Sequence, residues 1–432
     1  MNAKLHLLIA GDLHLGRRSS RLPPELAAER RYAAAAAWGR LVELAKSERV
    51  DALVLTGDVI DRENRYYEAL GPLEKGIAAL AEAGIPIFTV AGNHDWNVLP
   101  RLAAVHPTFH LLGAGGRWER RHLERDGRPL LCFDGWSFPR ERVSSDPLDG
   151  YDLEAERELP VLGLVHCDLG GTPGSPYAPT SLARLRRLPV AAWLLGHLHT
   201  PWREQSEGPP VVYPGSLQAL DPGEAGAHGA VRLELDGRHI RRLEFVPISA
   251  VRYETAELDL SSAADQDDFD RAATELLRRE LARATSEGGG HLGCLVLRLA
   301  AIGATALHGQ LASPLAALAG EVRYHGGLAA VFDQTLDLTR AQVDLAALAA
   351  GGDTAAAVAR LLLRLEGEAE HGEIMAAALD RLDAIYAATS YQRLAILDDK
   401  PTAADARAAL EAAGHRLLTE LLAQKVSSGN GP

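Results

Sequence analysis

The chain has 432 residues, 47% of them hydrophobic, and a formal net charge of -13 from 45 basic and 58 acidic side chains. That length and apolar content exclude a disordered chain and allow two or three domains with ample core. The acidic balance excludes a stand-alone, sequence-independent nucleic-acid binder, but not a nuclease that borrows its grip from a partner.

Cys132, Cys167 and Cys294 are scattered and odd in number. They give no disulfide framework and no zinc-knuckle spacing, which fits a reducing cytosol. Met1 to Ala10 reads as a first strand, not a signal peptide. No apolar run approaches membrane-spanning length, so a soluble, cytoplasmic protein without a membrane contact is expected.

Leu5 to Ala10 is a short apolar strand that runs into Gly11-Asp12-Leu13-His14-Leu15-Gly16. Asp12 and His14 stand at i and i+2, which puts two side chains on one face of an extended segment. A carboxylate oxygen and an imidazole nitrogen there suit one metal ion. Glu25 to Ser47 reads as one helix, rich in Ala, Leu and Glu. Asp51 to Thr56 is the second strand, followed by Gly57-Asp58-Val59-Ile60-Asp61-Arg62. Asp58 is the candidate ligand; Asp61 reads as a turn carboxylate paired with Arg62, with a second ligand as the other reading. Tyr66 to Ala83 is helical and Gly84 stops it. The strand Ile85 to Val90 then leads into Ala91-Gly92-Asn93-His94-Asp95. Open α/β sheets hold ligands at this C-terminal edge, and the alternation of strand and helix indicates parallel α/β layers.

Phe109 to Leu112 and Pro129 to Trp136 are further strands, with Arg117 to Arg128 as a charged hairpin between them. His106, His110 and His122 end no apolar strand beside a glycine and read as surface or satisfied core histidines. Ser144 to Glu158 is acidic and loop-like. Val161 to Val165 is a strand that ends in His166-Cys167-Asp168, before a loop over Gly170 to Pro176. Ala191 to Leu195 leads into Gly196-His197-Leu198-His199, again an i, i+2 pair of ligand types. Val211 to Ser216 and Gly229 to Leu235 are strands, and Arg241 to Pro247 closes the unit.

Val251 to Leu260 alternates as a strand, Asp267 to Ala284 is an amphipathic helix, and Gly288-Gly289-Gly290 breaks it. Leu295 to Leu299 is a strand, Thr305 to Gly320 a helix, and Val331 to Leu338 a strand. From Ala341 to Lys425 the chain reads as helical, broken near Gly351-Gly352 and Lys400-Pro401. The expected domains are 1–248, carrying the chemistry, a small α/β unit over 249–339, a helical region over 340–426, and a disordered tail over 427–432.

Five strand exits thus carry Asp12 with His14, Asp58, Asn93 with His94, His166, and His197 with His199. Parallel strands put their exits on one side, so these side chains can converge. Oxygen and imidazole donors without thiolate suit Mn, Mg, Fe or Zn. The set exceeds the needs of one ion, so two are expected, with Asp58 as the bridge because an anion between two dications lowers their repulsion. Two such ions roughly 3.5–4 Å apart can clamp a phosphate and make a hydroxide for in-line attack. His94, kept off the metals, can protonate the leaving oxygen, with Asp95 holding its imidazole.

These motifs, in this order, resemble the calcineurin-like metallophosphoesterase superfamily over about residues 5–248. The resemblance implies an α/β fold, a metallophosphoesterase β-sandwich flanked by helices (αββα). It implies that Asp12, His14, Asp58 and His199 hold one metal, and that Asp58, Asn93, His166 and His197 hold the other. His94 would be the proton donor and not a ligand.

Tyr213-Pro214-Gly215-Ser216-Leu217-Gln218, with Gly223-Glu224 and His228-Gly229 after it, resembles the DNA-repair exonuclease branch of SbcD type. That branch implies Mn-dependent hydrolysis of DNA, at ends or in duplex, and a capping domain within 249–339. It also implies C-terminal helices that dock on an SMC-like coiled-coil ATPase of SbcC type; a second copy of the chain is a further expected partner. Arg17, Arg18, Arg62, Arg65, Arg184, Arg186 and Arg187 are the basic groups that could meet DNA phosphates. The alternative on the same motifs is a phosphatase or phosphodiesterase acting on a small molecule.

Overall fold

The computed structural model describes residues 4–61, 66–171, 174–366, 372–386 and 400–427. Arg62, Arg65 and the expected tail beyond Ser427 lie outside these described residues. The chain divides into two compact units. The first comprises residues 1–255, 279–298 and 320–333, and the second 256–278, 299–319 and 334–432.

Twelve strands of the first unit build two of its sheets. In chain order these begin with β1 (Lys4–Ala10), β2 (Ala52–Leu55), β3 (Ile87–Thr89) and β4 (Phe109–Leu111). Next come β5 (Glu119–Arg125), β6 (Arg128–Trp136), β7 (Val161–His166) and β8 (Ala192–Gly196). β9 (Trp202–Glu204), β10 (Val211–Tyr213), β11 (Gly229–Asp236) and β12 (His239–Pro247) complete them. They form two six-stranded sheets, ordered β12-β11-β1-β2-β3-β4 and β5-β6-β7-β8-β10-β9. β1 to β4 run parallel to one another, as do β6, β7, β8 and β10.

The period-2 alternation of β1 separates two cores. Leu5, Leu7 and Ile9 join Val54, Phe88, Phe133, Leu162 and Leu194 in a core shared by both sheets. Leu8 and Ala10 turn the other way, toward Trp38 and Leu41 of the helix Ala34–Glu48 and Leu73 and Ile77 of the helix Tyr66–Glu82. Two faces of one sheet are therefore dry, which is why β2 reads as a continuous apolar run.

The single helix expected over 25–47 is broken. α1 spans Pro24–Ala27, a 3-10 turn spans Arg30–Tyr32, and α2 spans Ala34–Glu48. Ala33 is extended, with φ -81° and ψ 149°. Tyr32 is buried and its hydroxyl donates to the Gly293 carbonyl at 3.0 Å. Burial of one aromatic ring overrides the helix propensity of its alanine neighbours. α3 follows at Tyr66–Glu82.

In the second unit the helix expected over 305–320 shrinks to Ala312–Leu318. Ala304–Thr305 instead pairs with Arg340–Ala341 as a short parallel ladder, and Gly309 adopts φ +80°. A left-handed glycine ends a helix rather than continuing it. The C-terminal region is helical, at Leu345–Ala349, Thr354–Glu366, Gly372–Tyr386 and Ala403–Ser427. Val358, Leu362 and Leu418 form part of its own small core. Among the described residues, no helix is long and apolar enough to cross a membrane.

Candidate metal centre

β1, β2 and β3 end side by side in the first sheet, and β7 and β8 end side by side in the second. The turns after β1 and β2 are zipped together. Asp12 N donates to the Gly57 carbonyl at 3.1 Å, His14 N to the Asp58 carbonyl at 3.0 Å and Leu15 N to the Val59 carbonyl at 2.9 Å. The two backbones can then hold conformations that non-glycine residues rarely adopt. Asp12, His14, Asp58 and His197 have φ of 47°, 42°, 49° and 106°. Such values cost about 1–3 kcal/mol each and persist where the surroundings over-determine them. Four of them at the strand exits mark a site held by its surroundings.

Glycines permit close approach here, both within the first sheet and between the two. A Cβ on Gly92 would lie 2.1 Å from Asp58 Oδ1 of the neighbouring turn, and one on Gly196 would lie 2.0 Å from the Thr56 carbonyl oxygen of the other sheet.

The side chains converge as follows. His14 Nε2 lies 3.0 Å from His199 Nε2, and His199 Nε2 lies 3.9 Å from Asp12 Oδ1. His166 Nε2 lies 3.2 Å from Asn93 Oδ1 and 3.3 Å from Asp58 Oδ2. The same Asp58 oxygen is 4.0 Å from His14 Nε2. Asp12, His14 and His199 form one ligand-type group, and Asp12, Asp58 and His166 another, with donor atoms within 4.8 Å of one another. His14, Asp58 and His94 form a third such group. His197 joins through its backbone, its N donating to Asp12 Oδ1 at 3.1 Å, while its ring stands 5.5 Å from the His166 ring. None of His106, His110 and His122 joins these groups.

The donor set fits divalent ions. Two donors bound to one ion at about 2.1 Å and at right angles lie about 3 Å apart. His199 Nδ1 faces Glu224 Oε1 at 2.7 Å, so Nδ1 carries a proton and Nε2 is the atom turned into the site, 3.0 Å from His14 Nε2.

The electrostatics agree. Burial holds His14 and His197 down to about 3, so both are neutral, as ligation requires. Burial also pushes the Asp12 carboxyl up. At His166 burial opposes the charge, but the Asp58 carboxylate wins and raises the imidazole to about 9.

One expected role is corrected. Asp95 does not hold the His94 ring: it is fully buried and its carboxylate accepts from Gly92 N at 2.8 Å and Val59 N at 2.7 Å. The carboxylate beside His94 is Asp61, whose Oδ1 lies 3.6 Å from His94 Nδ1. Asp61 also receives Arg17 Nε at 3.3 Å and faces His14 Nδ1 at 3.7 Å. It is buried in the site, so it is more than a surface turn carboxylate. The signal for it was its i+3 spacing from Asp58.

Two further groups had no assigned role in the sequence. Glu224 braces His199, and the Tyr177 ring lies 4.8 Å from the His197 ring. Of the nominated basic groups, Arg17 pairs with Asp61, Arg184 with Asp146 and Asp149, and Arg186 with Glu204 and Glu207. Arg18 donates to the Ala27 carbonyl at 3.1 Å.

Residues 5–201 match the family described as calcineurin-like phosphoesterase. The chain is 28% identical over 272 residues to metallophosphoesterase YhaO of Bacillus subtilis, covering 61% of this chain and 65% of that protein. It is 27% identical over 264 residues to the DNA double-strand break repair protein Mre11 of Methanopyrus kandleri, covering 55% of each. The chain thus spans less than two thirds of these relatives' length. Among solved structures, a dimetal phosphatase from Danio rerio is similar at 16% identity and a TM-score of 0.35, over 57% of this chain and 99% of that one.

Proposed function

We propose that this chain, whose residues 5–201 match the calcineurin-like phosphoesterase family, is a two-metal phosphodiester hydrolase acting on DNA. The observation that carries the dinuclear part is Asp58. One carboxylate oxygen lies 3.3 Å from His166 Nε2 and 4.0 Å from His14 Nε2, between the two ligand groups. In this reading Asp12, His14, Asp58 and His199 hold one ion, and Asp58, Asn93, His166 and His197 hold the other. Mn is the first choice, with Mg, Fe and Zn as the others. Such a pair of ions supplies positive charge that clamps phosphate oxygens and lowers the pKa of the attacking water.

The chain's own residues do the rest. His94 is half-buried at the rim, and its Nδ1 faces Asp61. Nε2 is then the atom that holds a proton for the leaving oxygen. Asp61 keeps the ring turned and favours its charged form.

Support for DNA comes from the relatives named for double-strand break repair. It comes also from the stretch Tyr213 to Glu224, where Ser216 and Glu224 brace His199. A partner ATPase of SMC-like type would dock on the C-terminal helices, where Ile374, Ile385 and Leu417 are exposed. A second reading, a small-molecule phosphatase or phosphodiesterase, is favoured by the pairing of Arg17, Arg184 and Arg186 within the chain.

A substrate panel with added Mn separates the two: duplex DNA, a chromogenic phosphodiester and a phosphomonoester, with and without the ATPase and ATP. Release of nucleotides from DNA, lost in His94→Ala with both ions retained, is the expected result. Strong monoesterase activity without DNA cleavage selects the small-molecule reading.

A further inference from the structure

The two ligand groups differ in what stands behind their histidines. His166 Nδ1 lies 3.0 Å from a neutral backbone carbonyl, that of Thr56. His199 Nδ1 lies 2.7 Å from the Glu224 carboxylate. Glu224 is itself buried and locked. Its Oε2 accepts from Ser216 Oγ and from Leu220 N, each at 2.9 Å. Its amide donates to the Asp221 carbonyl at 2.8 Å, and His228 Nε2 stands 3.1 Å from its carbonyl. Ser216 Oγ is also 2.8 Å from His228 Nδ1, which closes the network.

An anion behind a metal-bound imidazole fixes its tautomer and raises its basicity more than a neutral carbonyl does. Asp12 stands in both groups, so it does not separate them, and Asn93 beside His166 contributes only a neutral amide. We propose that Glu224 is a positioning residue for His199, and that it makes the two sites unequal: the ion on His199 binds first and more tightly. This inference rests on the dinuclear reading above.

The test is calorimetric titration of the metal-free protein with Mn. The wild type should take up two ions in separated steps. Glu224→Gln, which keeps the shape and removes the charge, should weaken the tighter step roughly 10–100-fold and leave the other within error. Asn93→Ala should do the reverse. Zinc-loaded wild type gives a readout that needs no variant: the ring nitrogen shifts of His199 should report a metallated Nε2 and a protonated Nδ1. Wild type that binds fewer than two ions sinks the dinuclear reading itself. Wild type that binds two ions overturns the role of Glu224 if Glu224→Gln leaves both steps unchanged or weakens both equally, or if Nδ1 of His199 is metallated.

Discussion

Asp61 Oδ1 lies 3.6 Å from His94 Nδ1, in a pocket that also holds His14 and Arg17. The neighbouring Asp95, one residue along the chain, spends its carboxylate on backbone amides instead. The candidate proton donor is therefore served by a carboxylate from the turn after another strand.

Asp61→Asn should lower kcat roughly 10–100-fold while both ions stay bound. Burial opposes the His94 charge, but the carboxylates of Asp61 and Asp58 together outweigh it and raise the imidazole above its ordinary value. Without the Asp61 carboxylate the His94 pKa falls. A proton donor must be protonated to act, so activity is lost as pH rises through its pKa. The alkaline limb of the pH–rate profile should move to lower pH in Asp61→Asn. An unmoved limb with normal kcat would remove Asp61 from the mechanism.

Asp95→Ala should act on stability first. It strips acceptors from the buried amides of Val59 and Gly92, at a cost of roughly 3–5 kcal/mol. Thermal unfolding of the metal-free protein should show a clear drop in Tm for Asp95→Ala and little change for Asp61→Asn. The opposite order would restore Asp95 as the partner of His94.

Gly92→Ala places a methyl group 2.1 Å from Asp58 Oδ1 in the native geometry. The contact cannot persist, so the Asp58 carboxylate must shift. Metal analysis should find fewer than two ions per chain, and hydrolysis should fall about a hundredfold or more. Full metal content with normal rate would mean that the Asp58 position is unimportant.

Removal of metal should destabilise the chain. Asp12 and Asp58 are both buried, and their charges help raise His94, His166 and His199. Each ion at about 100 times its Kd adds about 2.7 kcal/mol to folding. A chelator should lower Tm, and Mn should restore it in a concentration-dependent way. A Tm that ignores both treatments would argue against a metal centre at these residues.

The fold was legible where local pattern and burial coincide. Apolar runs bounded by Gly-Asp, Gly-Asn and Gly-His marked β1, β2, β3 and β8. It was illegible where one long-range contact decides. The helix over 25–47 breaks because Tyr32 is drawn to the Gly293 carbonyl, 261 residues away in sequence. The helix over 305–320 yields to a ladder between Ala304–Thr305 and Arg340–Ala341, and neither strand signals the other.

At the site, the donors on offer are legible in the chain: Asp12, His14, Asp58, Asn93, His166, His197 and His199, each at a strand exit, where the chain must turn and a ligand can approach. Which of them meet follows from packing. The donors come from two sheets whose facing depends on the common core of Leu7, Val54, Leu162 and Leu194. Which carboxylate braces which imidazole, Asp61 at His94 and Glu224 at His199, depends on side-chain reach across that packing. Hydrogen bonds act over about 3 Å, a distance that sequence separation does not encode.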